Sequence, residues 1–107
     1  MEQINKIEIQ GHVGNASVTK IGDTKTAQFS VATEYVYKDN SGSAIIDTTW
    51  FNCRAFSGAG IADLTNLRRG AKVHLVGRFR TRNYQSTDGG THTIYEAIAN
   101  TLEILED

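Results

Sequence analysis

The sequence predicts an all-β fold: a five-stranded barrel with one short helix between its third and fourth strands. Three observations carry this reading. Most of the chain alternates apolar with polar residues at the period of a strand. Proline is absent and glycine occurs ten times, which suits strands that bend and tight turns between them. Helical spacing appears once, where Ile61, Leu64 and Leu67 recur within residues 58–70.

The first strand covers about residues 4–18, with Ile7 and Ile9 on one face and Glu8 and Gln10 on the other. Gly11 and Gly14 interrupt it and predict a bulge or sharp bend. Ile21-Gly22-Asp23 forms a turn. In the second strand, about residues 26–37, Ala27, Phe29 and Val31 oppose Gln28 and Ser30. Asp39-Asn40-Ser41-Gly42-Ser43 has the composition of a loop. The third strand, about residues 46–56, has two informative faces. Thr49, Phe51, Cys53 and Ala55 are all small or apolar, whereas Trp50, Asn52, Arg54 and Phe56 place an arginine between two aromatics, which a pure core face would not hold.

The helix ends at Arg68-Arg69-Gly70. The fourth strand, about residues 72–84, sets Val73, Leu75 and Phe79 against Arg78, Arg80, Arg82 and Tyr84. A hairpin loop at 86–90 leads to a last strand at about 92–105. Three strands, a helix and two strands is the order of the OB-fold, a Greek-key barrel that binds oligonucleotides or oligosaccharides. Such a barrel fills its interior with one face of each strand. Trp50, Arg54, Phe56, Arg78, Arg80, Arg82 and Tyr84 are therefore expected to point outward.

The 107 residues form a single domain, 1–107. One cysteine, Cys53, excludes an intramolecular disulfide and fits a reducing cytoplasm. The N-terminal MEQINKIEIQ lacks the apolar stretch of a signal peptide, and no apolar run approaches the ~20 residues of a membrane span. The expected location is the cytoplasm.

Catalysis finds little support. His12, His74 and His92 have no metal-ligand spacing to one another or to Cys53, so no metal site is expected. Neither a phosphate loop nor a dinucleotide fingerprint is present, and no cofactor is expected. Ser57-Gly58-Ala59-Gly60 is not a nucleophile elbow. Cys53 alternates with core residues and reads as an inert packing group.

A net charge of -1 and a pI near 6.3 give no global sign of a polyanion partner. Positive charge must then be gathered locally. GRFRTRNY at 77–84 does this, with arginines at period two on one face of one strand. Aromatics on the same faces complete the mixture that single-stranded nucleic acid requires: cations for phosphates and flat platforms for unstacked bases. Each element also has a plainer reading. An arginine stripe serves as a solvated face, Trp50 as core, Tyr35 and Tyr37 as closure of a barrel end, and Phe56 as a cap on the helix that follows.

The stretches Ile4-Asn5-Lys6-Ile7, Gly11-His12-Val13-Gly14, Phe29-Ser30-Val31-Ala32-Thr33, Thr49-Trp50-Phe51-Asn52-Cys53-Arg54-Ala55-Phe56, Leu67-Arg68-Arg69-Gly70 and Val76-Gly77-Arg78-Phe79-Arg80-Thr81-Arg82-Asn83-Tyr84 occur in this order. Together they resemble the bacterial single-stranded DNA-binding protein family over essentially the whole chain. The resemblance implies a non-catalytic homotetramer of OB-folds that coats single-stranded DNA in replication, repair or recombination. It implies base stacking at Tyr37, Trp50, Phe56 and Tyr84, with Tyr37 and Tyr84 standing where well-known members have tryptophan. It implies phosphate contacts at Arg68, Arg69, Arg80 and Arg82, to which the strand faces add Lys38, Arg54 and Arg78. Phe51 stands where the family often has a polar residue that affects assembly. The sequence stops at Leu105-Glu106-Asp107, short of the acidic tail by which family members recruit repair enzymes, so it reads either as a naturally short paralogue or as an isolated core, and for both the resemblance implies DNA coating but not tail-mediated recruitment.

Two rivals remain in the same fold: a dimeric primosomal accessory protein acting mainly through protein partners, and an oligosaccharide-binding module. Neutral sugars do not call for so much charge. A nuclease would need a convergent acidic metal site.

Overall fold

The alternating segments form five long antiparallel-rich strands. A computed structural model describes residues 2–105. The strands are β1 (Ile7–Ile21), β2 (Thr24–Lys38), β3 (Ala44–Phe56), β4 (Lys72–Gln85) and β5 (Thr91–Leu105). They close into a barrel in the order β1-β2-β3-β5-β4. All neighbours are antiparallel except β3 and β5, whose short parallel contact pairs Cys53 with Ala97 and Arg54 with Ile98. This is the OB-fold topology that the sequence predicts.

The inward faces meet in one core. Ile9, Val13, Ala27, Phe29, Val31, Cys53, Ala55, Val73, Leu75, Ala97 and Leu102 are buried in it, and Leu64 and Leu67 complete it from the connection between β3 and β4. β1 bulges between Val13 and Ala16, taking three steps while β2 takes two from Val31 to Phe29. The bulge lies at Gly14, one of the two glycines that predicted it, and the exposed Asn15 N–H donates to Ser30 Oγ at 3.0 Å. A second irregularity separates Val76 from Gly77, where β5 takes two steps to one. Gly77 is buried there so closely against β5 that a Cβ would run into the carbonyl oxygen of Ile98.

The segment predicted as a helix over 58–70 contracts to a single 3₁₀ turn, Leu64–Asn66. Competing backbone hydrogen bonds explain this. Leu102 N–H donates to Gly60 O at 2.9 Å and Ala62 N–H to Leu102 O at 2.8 Å, tying the front of the segment to β5. Gly70 N–H donates to Val13 O at 2.8 Å, and Val13 N–H to Ala71 O at 2.9 Å, tying its rear to β1. Gly60, at φ 81°, turns the chain out of helical geometry. One turn remains, capped by Asp63, whose carboxylate accepts from Thr65 N–H at 3.0 Å. Leu64 and Leu67 still face the core, which is the burial their spacing encoded.

Two hairpin arms extend beyond the closed part. β2 and β3 stay paired without a break from Thr26↔Phe56 out to Lys38↔Ala44, and β4 and β5 out to Gln85↔Thr91. The radius of gyration is 16.2 Å, against ~13 Å for a compact chain of about 100 residues. At the root of the β4 arm Asn5 replaces a neighbouring strand. Its Nδ2 donates to Phe79 O at 2.6 Å and its Oδ1 accepts from Phe79 N–H at 2.9 Å.

Candidate nucleic-acid interface

Alternation sends Trp50, Asn52, Arg54 and Phe56 of β3 and Arg78, Arg80, Arg82 and Tyr84 of β4 to the outer face. What joins them is Glu96 on β5. It lies directly opposite Arg80 in the β4–β5 pairing and is the one buried charged residue among those described. Arg80 Nε and Nη2 donate to Glu96 Oε1 at 3.0 and 2.5 Å, and Arg82 Nε donates to the same oxygen at 3.2 Å. The parallel β3–β5 contact brings Arg54 to the other oxygen, with Nε 3.6 Å from Oε2. That separation is an ion pair rather than a hydrogen bond, and the buried Arg54 Nε has no hydrogen-bond partner among the described residues. Burial pushes the Glu96 carboxyl up. The hydrogen bonds from Arg80 and Arg82 and the charges of Arg54 and Arg80 outweigh it, holding the group below the ordinary carboxylate value.

The stripe is therefore not a row of equivalent free cations. The Arg54 side chain is 17% exposed, Arg80 32% and Arg82 41%. Gln28, Ser30, Asn52, Arg54, Arg82 and Glu96 line a groove of ≈460 Å³ beside them. The groove carries both hydrogen-bond donors and acceptors beside apolar surface from Ala16, Phe29 and Ile94.

Trp50 is 60% exposed, and Phe56 and Tyr84 are also exposed. The Trp50 ring is supported from below by the β1 bulge: a Cβ on Gly14 would stand 2.5 Å from its Cζ3 and 2.8 Å from its Cη2. Tyr84 stacks on His92 at 5.3 Å. Tyr37 takes a different position. The unbroken β2–β3 register places Trp50 opposite Ala32 and Tyr37 opposite Ile45, so the two rings lie on opposite faces of the hairpin. Tyr37 adjoins Tyr35 at 6.2 Å, and both are exposed on the arm rather than closing the barrel.

Two further aromatics are exposed. Phe79 shares the inward face of Val73 and Leu75, as its alternation requires, but stands where the core has ended. It stacks on Tyr95 at 6.2 Å and 21°. Sequence reasoning missed Tyr95; its place beside Glu96 on β5, diagonal to Phe79, was the available signal.

The remaining cations are dispersed. Lys38 is exposed at the outer end of β2, and Arg78 is exposed opposite Ile98. Arg68 and Arg69 line a separate depression with Asn66, Ile104 and Leu105, at the opposite end of β5 from its hairpin. Among the described residues no cluster of three or more His, Cys, Asp or Glu side chains is placed to hold a metal ion. Cys53 is buried, and desolvation, with a lesser effect of the Glu96 charge, pushes its thiol up to about 12. His74 Nε2 lies 2.6 Å from Glu8 Oε2 on a different part of the barrel surface. No helix among the described residues is long and apolar enough to cross a membrane.

The profile of the Single-strand binding protein family matches residues 4–105. This chain belongs to that family. Within it, the single-stranded DNA-binding protein of Neisseria meningitidis serogroup B is 30% identical over 95% of this chain and 60% of its own length. That of Staphylococcus epidermidis is 32% identical over 95% of this chain and 76% of its own. This family member thus spans about 60% of the length of the Neisseria relative. Among solved structures, the Plasmodium falciparum SSB in complex with ssDNA superposes with a TM-score of 0.76 and 25% identity, covering 99% of this chain and 98% of that one. A deletion mutant of the Thermus aquaticus single-stranded DNA-binding protein gives a TM-score of 0.74 over 96% of this chain and 51% of that one, at 16% identity, which shows the fold alone.

Proposed function

We propose that this single-strand binding family member coats single-stranded DNA without catalysing a reaction. One observation carries the reading: Trp50 is exposed, its ring edge packed against Gly14 of the bulge, on the same face as a groove lined by Arg54 and Arg82. Trp50, Phe56 and Tyr84 stack bases on the outer face, each worth about 1–3 kcal/mol. Tyr37 stacks a base on the other face of the β2–β3 arm, so the strand wraps that arm. Arg80 and Arg82 meet phosphates through the guanidinium edges that Glu96 leaves available, with Arg54 behind them. Arg78, Lys38, Arg68 and Arg69 extend the phosphate path. The duplex is disfavoured because pairing hides the faces of its bases.

Family membership supports assembly as a homotetramer and action in the bacterial cytoplasm during replication, repair or recombination. Light scattering of the free protein and of its oligo-dT complex tests the assembly.

The function is tested by titrating Trp50 fluorescence with oligo-dT and with a matched duplex at several salt concentrations. Trp50 is the only tryptophan, so the signal has a single source. Quenching by the single strand alone, weakening with salt at roughly −0.7 in log–log slope per neutralised phosphate, is expected. Absence of quenching together with absence of binding by an independent assay would overturn the reading and favour a module acting through protein partners.

A further inference from the structure

Three guanidinium groups converge on one buried carboxylate. A single arginine would have balanced the charge of Glu96, yet Arg54, Arg80 and Arg82 approach it from two strands, with four nitrogen-to-oxygen separations between 2.5 and 3.6 Å. The carboxylate offsets one of the three positive charges. It also takes Nε of Arg82 and both Nε and Nη2 of Arg80, leaving Nη1 of Arg80 and the two terminal nitrogens of Arg82, which lines the groove, held in fixed positions.

We propose that Glu96 is a specificity-determining residue that sets the preference for single-stranded over double-stranded DNA. This rests on the proposed coating of single strands and goes beyond it, since Glu96 itself carries the wrong charge to touch a phosphate. The physical argument has two parts. Phosphates of a strand whose bases lie on Trp50 and Tyr84 must meet cations in a fixed register. Arginines already ordered by Glu96 meet them without losing further side-chain freedom. A duplex offers no bases to the platforms and binds only through diffuse charge, which depends on how much positive charge is uncompensated. Glu96 therefore supports the first mode and suppresses the second.

The test is the variant Glu96→Gln, which keeps the side chain's size and removes its charge. Affinities for oligo-dT and for a matched duplex are measured against salt concentration. Duplex affinity is expected to rise about tenfold near 0.1 M salt, as one more counterion-releasing contact supplies. Oligo-dT affinity should change by less than about threefold, because the added charge is offset by the lost ordering of Arg80 and Arg82. The single-strand preference then falls several-fold. Unchanged preference and unchanged salt slopes in a folded E96Q protein would overturn the proposal and leave Glu96 a structural group.

Should E96Q fail to fold, Arg80→Gln is compared with the double variant R80Q/E96Q, in which two arginines rather than three face the neutral side chain. The double variant is expected to bind duplex about tenfold more tightly than R80Q. Equal duplex affinities would overturn the proposal. Failure of the wild-type protein to bind oligo-dT would instead overturn the coating function on which it rests.

Discussion

The ring of Trp50 occupies the space that a side chain at Gly14 would need: a Cβ there would lie 2.5 Å from Trp50 Cζ3. An exposed aromatic is thus held by the backbone of a bulge on a different strand. Gly14→Ala should tilt the ring off β1 while the barrel stays intact, because the far end of the indole gives way more easily than backbone. The expected result is a shifted tryptophan emission maximum and an oligo-dT affinity lower by ~1 kcal/mol, within the range for one disturbed stacking contact. Fluorescence titration of the variant checks both.

Removing the platform altogether separates binding from stability. Trp50→Ala is expected to cost about 1–3 kcal/mol of oligo-dT affinity. Its thermal stability should fall by less than ~1 kcal/mol, since most of the ring is already in water. Tyr84→Ala should behave similarly on the β4 arm. Isothermal titration with oligo-dT and thermal melts report the two quantities independently.

Glu96 makes stability depend on acidity in a defined direction. Its folded carboxyl titrates below the ordinary value of 4.5 because the arginine hydrogen bonds and charges prevail over burial. The unfolded chain therefore binds this proton more readily. The stabilisation is complete above the ordinary value and is lost as pH falls from there through the folded value. Melting temperatures from pH 7 to pH 3 should decline more steeply for the wild type than for E96Q. At pH 7 the variant should be less stable by about 1–3 kcal/mol, because three arginines then face one another without their counterion.

Cys53 should report global unfolding. Burial in the barrel pushes its thiol up to about 12, so the reactive thiolate is scarce in the native state. Labelling by an alkylating reagent at pH 7.5 should be slow in buffer. It should rise in step with loss of far-UV ellipticity across a urea titration.

Gly77→Ala should be among the most damaging small substitutions. The added Cβ would meet the carbonyl oxygen of Ile98 on the neighbouring strand, which is backbone and not free to rotate away. A loss of ~3 kcal/mol or more is expected, measurable as a shifted urea midpoint.

Alternation made the strands, their faces and the outward placement of Trp50, Phe56 and Tyr84 legible in the sequence. It also made the arginine stripe legible. The bulge at Gly14 could be anticipated, but not the indole that rests on it, because that contact joins β1 to β3. Ile61, Leu64 and Leu67 signalled burial correctly. Their helical spacing did not survive, because Gly60, Ala62 and Gly70 found backbone partners on β5 and β1. Phe79 obeyed its alternation and still emerged into solvent, because the inward face continues past the end of the core. Tyr37 reads as a companion of Trp50 in the sequence and lies on the other face of the arm, a matter of register between β2 and β3.

Period-two alternation and turn composition are local properties, so the sequence by itself determined the barrel class, the order of the strands along the chain and which of their residues face outward. How the charge is arranged was decided only in three dimensions. Counting outward from the hairpin turn pairs Arg80 with Glu96, so half of the cluster was within reach of the sequence. Arg54 joins it only through the parallel closure of β3 on β5, between segments far apart in the chain. Closure of the barrel therefore completes an ordered, partly neutralised set, because it brings Arg54 to the carboxylate that the β4–β5 hairpin has already placed beside Arg80 and Arg82.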